Sequence, residues 1–276
     1  MILLDKSKYV RIRESFKQAT INVLFARSVV EQHVTGKVYV DNIKEPRTSY
    51  VIHPYGMSLL FGEANNQEFN SQFLDYALNL YNVRYNDEWM QAFPDSWDST
   101  LAILFKDEIT RSSNNLGKGE KKKIELNTRC NFKFNTNKFL DFRRKIINKD
   151  FKIVRTDMKI FENMKGSVVP LRFWNNAKQF YNSGIGFSMF YEQKLASTAF
   201  SSYIHENQLE IGIETIENYR GIGLAKHTCS TLIDYCLEHG YEPIWSCRLE
   251  NIGSYKLAQE LGFEPTLTVP YYRLSN

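Results

Sequence analysis

The segment "ENYRGIGLAK" (217–226) lies between two stretches of opposite periodicity. Before it, "QLEIGIET" (208–215) alternates like a strand, and after it "HTCSTLIDYCLEHG" (227–240) spaces its apolar residues like a helix. A strand that enters a helix through a glycine-rich turn presents unpaired backbone N–H groups at the positive end of the helix dipole. Gly221 and Gly223 let an anion approach the backbone, and Arg220 adds a positive charge. The segment therefore predicts a phosphate-binding site, best suited to a pyrophosphate.

Two common phosphate-binding motifs do not fit this segment. The dinucleotide fingerprint needs a third glycine where Lys226 stands, and the preceding strands are predicted to be antiparallel. The P-loop needs a Gly-Lys-Ser/Thr sequence, which is missing here. From these residues alone, a helix packed tightly on its strand without any ligand remains an alternative.

Two motifs together resemble the GNAT superfamily of N-acetyltransferases. Arg220-x-x-Gly223-x-Ala225 is similar to the first signature of that superfamily, Arg/Gln-x-x-Gly-x-Gly/Ala. "NIGSYKLAQELGF" (251–263) resembles the second, Asn-x-x-Ser-x-x-Leu-x-x-x-Leu-Gly-Phe. "EIGIETIENYRGIGLA", "EPIWSCRLENIGS", "KLAQELGF" and the upstream "VYVDNIKEP" look like the zwittermicin-resistance type of GNAT acetyltransferase.

The predicted fold class is α/β (α+β), in two domains. Residues 149–276 are predicted to form the GNAT acetyl-CoA-binding catalytic domain, with a central mixed, mostly antiparallel sheet flanked by helices. Three consecutive strands over 184–215 form its antiparallel meander, and one strand is predicted at 242–249. Residues 1–148 are predicted to be an N-terminal α/β domain, possibly a degenerate GNAT-like unit. It opens with helical spacing over roughly 6–34, contains a hairpin at 49–62 and ends after the polar loop "RSSNNLGKGEKKK" (111–123).

The resemblance implies a set of acetyl-CoA contacts. The backbone N–H groups from Ile222 to Lys226 would hold the pyrophosphate, and pantetheine would add to the sheet edge near Thr215. Asn251 is implied as a pantetheine contact and Ser254 as a contact near the phosphates, although Asn251 equally fits the N-cap of the last helix. The implied cofactor-binding residues are Thr215, Arg220, Gly221, Ile222, Gly223, Leu224, Ala225, Lys226, Asn251 and Ser254.

Acetyl transfer needs a base for the acceptor amine and a way for the thiolate to leave. Glu210 is the first candidate for the base, although relatives place theirs at positions corresponding to Leu209 and Ile211 on the opposite strand face; a structural carboxylate is the alternative. Glu214 and His205 are weaker candidates. Ala258 stands where many GNAT enzymes carry a tyrosine acid, so Tyr272, or its neighbour Tyr271, is the candidate proton donor. Both tyrosines equally fit aromatic residues that pack on a strand, and a CoA thiolate can also leave without a protein acid.

The cysteines and four of the aromatic residues can each be interpreted as structural or as functional. The four cysteines (Cys130, Cys229, Cys236, Cys247) lack metal-binding spacing, and buried, reduced thiols are predicted, so no metal is expected. Four aromatic residues either line an acceptor pocket or belong to the core: Trp174, Phe180, Phe187 and Trp245.

Composition and charge limit the functions that the protein can have. The net charge of +4 is too weak to argue for nucleic acid, and the sequence has neither a signal peptide nor a membrane span, so a cytoplasmic protein is expected. We expect an acetyl-CoA-dependent N-acetyltransferase that acts on a small primary amine, with homodimer formation left open. The alternatives are a non-catalytic acetyl-CoA-binding or regulatory module, and a protein or peptide N-acetyltransferase.

Overall fold

The computed structural model describes residues 1–111, 123–146 and 151–276. The chain forms two compact units. The first contains residues 1–130, 248–250 and 267–276, and the second contains residues 131–247 and 251–266. Most of the polar loop predicted at 111–123, and the domain boundary predicted near residue 148, lie outside the described residues.

The first unit begins with a mixed sheet. Its elements are, in chain order, β1 (Ile2–Leu3), α1 (Val10–Arg13), α2 (Leu24–Val30), β2 (Lys37–Val40), β3 (Thr48–Ile52), β4 (Met57–Gly62), α3 (Gln67–Ala77), β5 (Glu88–Phe93), α4 (Ser96–Leu104), β6 (Ile109–Arg111) and β7 (Ile124–Phe134), which continues into the second unit. Strands β1 to β4 pair antiparallel in chain order, and β4 pairs with β5 in parallel. The predicted hairpin at 49–62 is β3 and β4.

Helices cover both faces of this sheet. Because successive side chains of a strand point to opposite faces, Leu59 and Phe61 of β4 pack with α1 and α2, whereas Leu60 packs with α3 and α4. The core of the first unit therefore has two apolar layers, one on each side of the sheet.

The second unit holds a meander followed by a helical crossover. Its elements are α5 (Thr136–Lys145), β8 (Lys152–Arg155), α6 (Met158–Asn163), α7 (Ala177–Ser183), β9 (Gly186–Tyr191), β10 (Lys194–His205), β11 (Gln208–Thr215), α8 (Leu224–Glu238), β12 (Glu242–Ile244), β13 (Ser246–Arg248), α9 (Ile252–Glu260) and β14 (Phe263–Leu274). Among the described residues, five strands form one sheet in the order β12-β11-β10-β9-β8. The pairs of β8, β9, β10 and β11 are antiparallel, so the predicted meander is confirmed.

The prediction of one strand at 242–249 is wrong in one respect, because this segment forms two strands that belong to different sheets. β12 pairs with β11, whereas β13 belongs to the nine-stranded sheet, which runs through β5-β14-β7-β13 and has β6 beside β7. β7, β13 and β14 each have residues in both units. The chain turns away from β11 at Trp245, so among the described residues Ile211–Thr215 pair with β10 on one side and with no strand on the other.

The fold class predicted from the sequence is confirmed. The sheets are mixed and mostly antiparallel, with helices packed against them. Helix α8 contacts β9, β10 and β11, which fixes its first turn beside the end of β11.

Candidate functional site

The turn between β11 and α8 has the backbone geometry of an anion site. We call residues 216–223 the cofactor loop. Gly221 has φ +81° and Gly223 has φ +86°, a left-handed conformation that side chains disfavour. Gly223 is the N-cap of α8 and, as a glycine, has no side chain that could accept from the first N–H groups of the helix. Residues 220–222 are exposed, and a Cβ on Gly221 would meet nothing within 4 Å. The turn that leads into α8 is therefore open to solvent at residues 220–222.

Two cations flank the cofactor loop. Arg220 donates from Nε to the carbonyl of Thr215 (2.9 Å) and from Nη2 to Oε1 of Glu214 (3.1 Å), with 59% of its side chain exposed. Lys226 lies over Gly223, since a Cβ there would be 3.0 Å from the lysine Cε, and its Nζ is 3.9 Å from Oε2 of Glu260. An anion at the start of α8 would find both positive charges nearby.

One edge of β11 is open beside this loop. In the described part of the chain, β11 and β12 pair only over Gln208–Glu210 and Glu242–Ile244. Beyond that fork, Ile211–Thr215 continue to pair with β10 on the other side. The side chain of Thr215 shares a hydrogen bond with Ser197 Oγ (2.9 Å). The backbone of this segment is thus the edge to which an extended ligand can add as a strand.

Glu210 is the last residue of β11 to pair with β12, so it lies at the fork. Its side chain is 8% exposed, and the opposing strand has a bulge between Ser201 and Tyr203. Ser202 Oγ donates to the backbone carbonyl of Glu210 (3.1 Å). The bulge lies in β10 and leaves the alternation of β11 unbroken, so Glu210 shares its face with Gly212 and Glu214.

Glu214 has a different environment, because its carboxylate is held by four donors. Oε2 accepts from the N–H groups of Ser167 and Val168 (both 2.8 Å) and from Ser167 Oγ (3.2 Å), and Oε1 accepts from Arg220. We call residues 166–168 the glycine–serine loop. The sequence did not reveal this loop, since it lies far from Glu214 in the chain and carries no motif.

The second catalytic candidate lies in the first unit, whereas Glu210 lies in the second. Tyr272 pairs with Met90 across β14 and β5, and its ring is 5.7 Å from that of Phe105 in an edge-on arrangement. Burial, with the nearby Asp98 carboxylate, raises the pKa of Tyr272 above its usual range. The phenol therefore stays protonated at neutral pH. Tyr271 is also buried and stacks on Trp89.

Comparison with known proteins settles the family. The family model described as GNAT acetyltransferase matches residues 14–272. The chain belongs to the GNAT acetyltransferase family. It is therefore an N-acetyltransferase by family, and acetyl-CoA is the co-substrate that GNAT acetyltransferases use.

Relatives of the chain match along nearly its full length. An uncharacterized N-acetyltransferase, YdfB of Bacillus subtilis (strain 168), is 25% identical over 274 residues, which cover 98% of this chain and 97% of the relative. A GCN5-related N-acetyltransferase-like protein from Streptococcus suis 89/1591 has a TM-score of 0.69 at 19% identity, covering 96% of this chain and 98% of that one. A tandem GNAT protein from the clavulanic acid biosynthesis pathway has a TM-score of 0.60 at 9% identity, covering 99% and 97%.

The second GNAT signature (251–263) spans α9, and its Asn251 and Ser254 lie at the start of the helix. Asn251 is the N-cap, since its Oδ1 accepts from the N–H of Ser254 (3.2 Å), and Ser254 Oγ accepts from Trp245 Nε1 (3.3 Å). Ala258 is fully buried where many GNAT enzymes carry a tyrosine. Tyr255 lies one turn earlier and packs on Phe132, with ring centroids 5.4 Å apart.

Three of the four aromatic residues proposed for core or pocket are buried in the second unit: Trp174, Phe180 and Trp245. Trp174 donates from Nε1 to the carbonyl of Ser201 (2.8 Å), and Phe180 packs edge-on against it. Phe187 is partly exposed and lies beside Tyr235. These contacts make Trp174 and Phe180 core residues that support β10 near its bulge.

The cysteines are free and buried, as predicted. Burial raises the pKa of Cys236 to about 12 and raises the pKa of Cys229 further above its usual range. Both thiols are therefore protonated at neutral pH and unsuited to act as nucleophiles. Within the described residues, no helix has the length and apolar character needed to cross a membrane.

Proposed function

We propose that this GNAT acetyltransferase transfers the acetyl group of acetyl-CoA to the primary amine of a small molecule. The observation that carries the proposal is the open start of α8, with its two left-handed glycines, directly beside the unpaired edge of β11. The loop amides would hold the diphosphate, and the edge at Ile211–Thr215 would pair with pantetheine amides. Asn251 and Ser254 lie on α9, where they would contact the cofactor as the second signature implies.

The reaction needs no covalent enzyme intermediate. The amine nitrogen attacks the thioester carbonyl, the C–N bond forms, the C–S bond breaks, and CoA leaves as a thiolate. Glu210, at the fork where the cofactor would leave the sheet, would take the proton from the amine. Tyr272 is 4% exposed and packs in the apolar core of the first unit, so we assign it no role in this step. The buried, protonated state of Cys229 and Cys236 supports direct transfer.

A non-catalytic acetyl-CoA-binding module is the second candidate function, favoured by the buried Ala258 at the usual tyrosine position. One experiment separates the two. Both functions predict that acetyl-CoA binds in calorimetry and raises the melting temperature. Only the transferase releases CoA when aminopolyols and amino acid derivatives are added. The same assay also tests peptides with free N-termini. Faster CoA release with peptides than with small amines would favour a peptide acetyltransferase.

Arg220 provides a test of the cofactor loop. We expect Arg220→Gln to weaken acetyl-CoA binding by about tenfold, or about 1.4 kcal/mol, because one charged contact near the diphosphate is lost. Glutamine is preferred to glutamate, since a carboxylate would lie against Glu214 and disturb the fold. Isothermal calorimetry measures the dissociation constant, with Arg144→Gln, an exposed arginine on α5, as the control. An unchanged affinity would remove Arg220 from the site.

We also propose that the N-terminal unit is a second GNAT-like copy that does not hold acetyl-CoA. Its element order β2-β3-β4-α3-β5 repeats β9-β10-β11-α8-β12, with an antiparallel meander, a helix and a parallel strand in each. The equivalent of the cofactor site is closed. Asn66 caps α3 by accepting from the N–H of Phe69 (3.1 Å), and β4 pairs with β5 along Met57–Phe61 without a fork.

This proposal predicts a binding stoichiometry. We expect one acetyl-CoA per chain, because α8 is the only helix in the described ranges that begins with a glycine turn beside an open strand edge. Calorimetry of the full chain measures the number of sites. Two sites of comparable affinity would show that the N-terminal unit binds the cofactor as well.

A further inference from the structure

The carboxylate of Glu214 joins the cofactor loop to the glycine–serine loop. Its side chain is 7% exposed, and its two oxygens serve different partners. Oε1 accepts from Arg220 of the cofactor loop, and Oε2 accepts from both amides of Ser167 and Val168. A charged acceptor with several donors holds both segments firmly, because charge-assisted hydrogen bonds are stronger than neutral ones.

The glycine–serine loop is built for this carboxylate. Gly166 has φ +149°, and a Cβ there would lie 2.6 Å from Glu214 Oε2. Only glycine allows the backbone to approach so closely. The position is therefore shaped around the side chain of Glu214, which argues against an incidental surface contact.

The glycine–serine loop leads directly to the fork. It is followed by a single turn at Pro170–Arg172, and then by Phe173, whose ring packs on Phe200 with centroids 5.5 Å apart. Phe200 lies under Gly212 of β11. Trp174 donates to the carbonyl of Ser201, beside the bulge that opposes Glu210. A displacement of residues 166–168 can therefore be transmitted through these contacts to the region of Glu210, where the acceptor amine has to attack.

Arg220 is the group that a bound cofactor would draw away from Glu214. Most of its side chain is exposed, yet its Nε donates back to Thr215 and its Nη2 to Glu214, both on β11. A diphosphate on the amides of α8 would compete with Glu214 for the guanidinium, since phosphate oxygens bind arginine strongly. Glu214 would then be held by the amides of Ser167 and Val168 and by Ser167 Oγ, and these bonds would tighten.

We propose that Glu214 is a positioning residue that transmits cofactor binding, through Arg220, to the glycine–serine loop. The part of the site that receives the acceptor amine then takes its final position only after acetyl-CoA has bound. The proposal rests on the assignment of the cofactor loop given above. It predicts that the diphosphate is the part of the cofactor that is sensed. Pantetheine, which lacks the diphosphate, leaves residues 166–168 unchanged.

Amide hydrogen exchange of the full chain tests this coupling. We expect saturating CoA to slow the exchange of the Ser167 and Val168 amides by about fivefold or more in the wild type, whereas pantetheine has no such effect. In Glu214→Gln the two amides exchange faster, and CoA changes their rates by less than about twofold while still binding. Glu162→Gln, an exposed glutamate on α6, is the matched control and keeps the wild-type response.

Arg220→Gln gives a second, independent measurement, because it removes the cation without touching the bonds of Glu214 to the loop. Its Ser167 and Val168 amides are expected to exchange slowly even without CoA and to respond little when CoA is added. The coupling is overturned if CoA binds the wild type while these rates stay constant, or if either variant responds like the wild type. Loss of CoA binding in wild-type calorimetry is a separate result, which would overturn the cofactor assignment and the coupling with it.

Discussion

Replacing Gly223 by valine is expected to weaken acetyl-CoA binding by at least about a hundredfold, or about 2.7 kcal/mol. Gly223 holds φ +86° and ψ 10° at the N-cap of α8, a conformation that a β-branched residue adopts only with strain. The loop would relax away from this geometry, and the new side chain would occupy space that a diphosphate needs. Calorimetry measures the dissociation constant.

Gly240→Val is the matched control for this variant. Gly240 has φ +75°, follows the other end of α8, and a Cβ there would meet nothing within 4 Å. Both variants introduce the same residue into a left-handed position, so their melting temperatures are expected to fall by similar amounts. Only Gly223→Val is expected to lose the cofactor. Equal affinity in the two variants would show that the start of α8 does not hold the diphosphate.

The sequence predicted the elements around α8 because their signals are local. Alternation identifies β11, helical spacing identifies α8, and Gly221 and Gly223 mark the turn between them. The three-strand meander was also predictable, since each strand alternates and the connecting turns are short. These features depend on neighbours in the chain, which a single sequence displays directly.

Features that depend on distant partners were predicted poorly. The segment 242–249 is predicted as one strand, yet β12 and β13 separate at Trp245 because they pair with different sheets. β5 (Glu88–Phe93) was not predicted at all, although it is the parallel partner of β4. The helical stretch expected over roughly 6–34 is broken near Asn22, whose side chain accepts from the N–H of Leu24 and forms a local turn.

The candidate site shows the same contrast between features with a local sequence signal and features that depend on distant partners. Arg220 and the two glycines form a motif, so the cofactor loop could be proposed from the sequence. The partners of Arg220 could not, because Glu214 is turned toward residues 166–168 by the tertiary fold. That contact separates the roles of two glutamates on one strand face. Glu214 is held by four donors, and Glu210 lies at the fork between β11 and β12, so Glu210 stays the candidate for proton transfer.

Replacing Glu210 by glutamine is expected to lower turnover by about a hundredfold at neutral pH, because a positioned general base contributes about 10² to 10⁴ in rate. Glutamine keeps the size of the side chain but cannot accept the proton, so acetyl-CoA affinity should stay within about threefold. Turnover is measured as CoA release with the best acceptor of the amine panel. Glu206→Gln, whose side chain is 81% exposed in the turn before β11, is the control and should match the wild type.

The pH dependence gives the sharper result. Without a base, only the unprotonated amine attacks, so the rate of Glu210→Gln should rise about tenfold per pH unit until the pKa of the acceptor, near that of lysine. The wild type should rise less steeply above the pKa of its base, so the two profiles approach each other at high pH. Parallel profiles for wild type and Glu210→Gln would assign Glu210 a purely structural role. The ionisation of a catalytic base changes the pH dependence of turnover, so removing the base must change the profile.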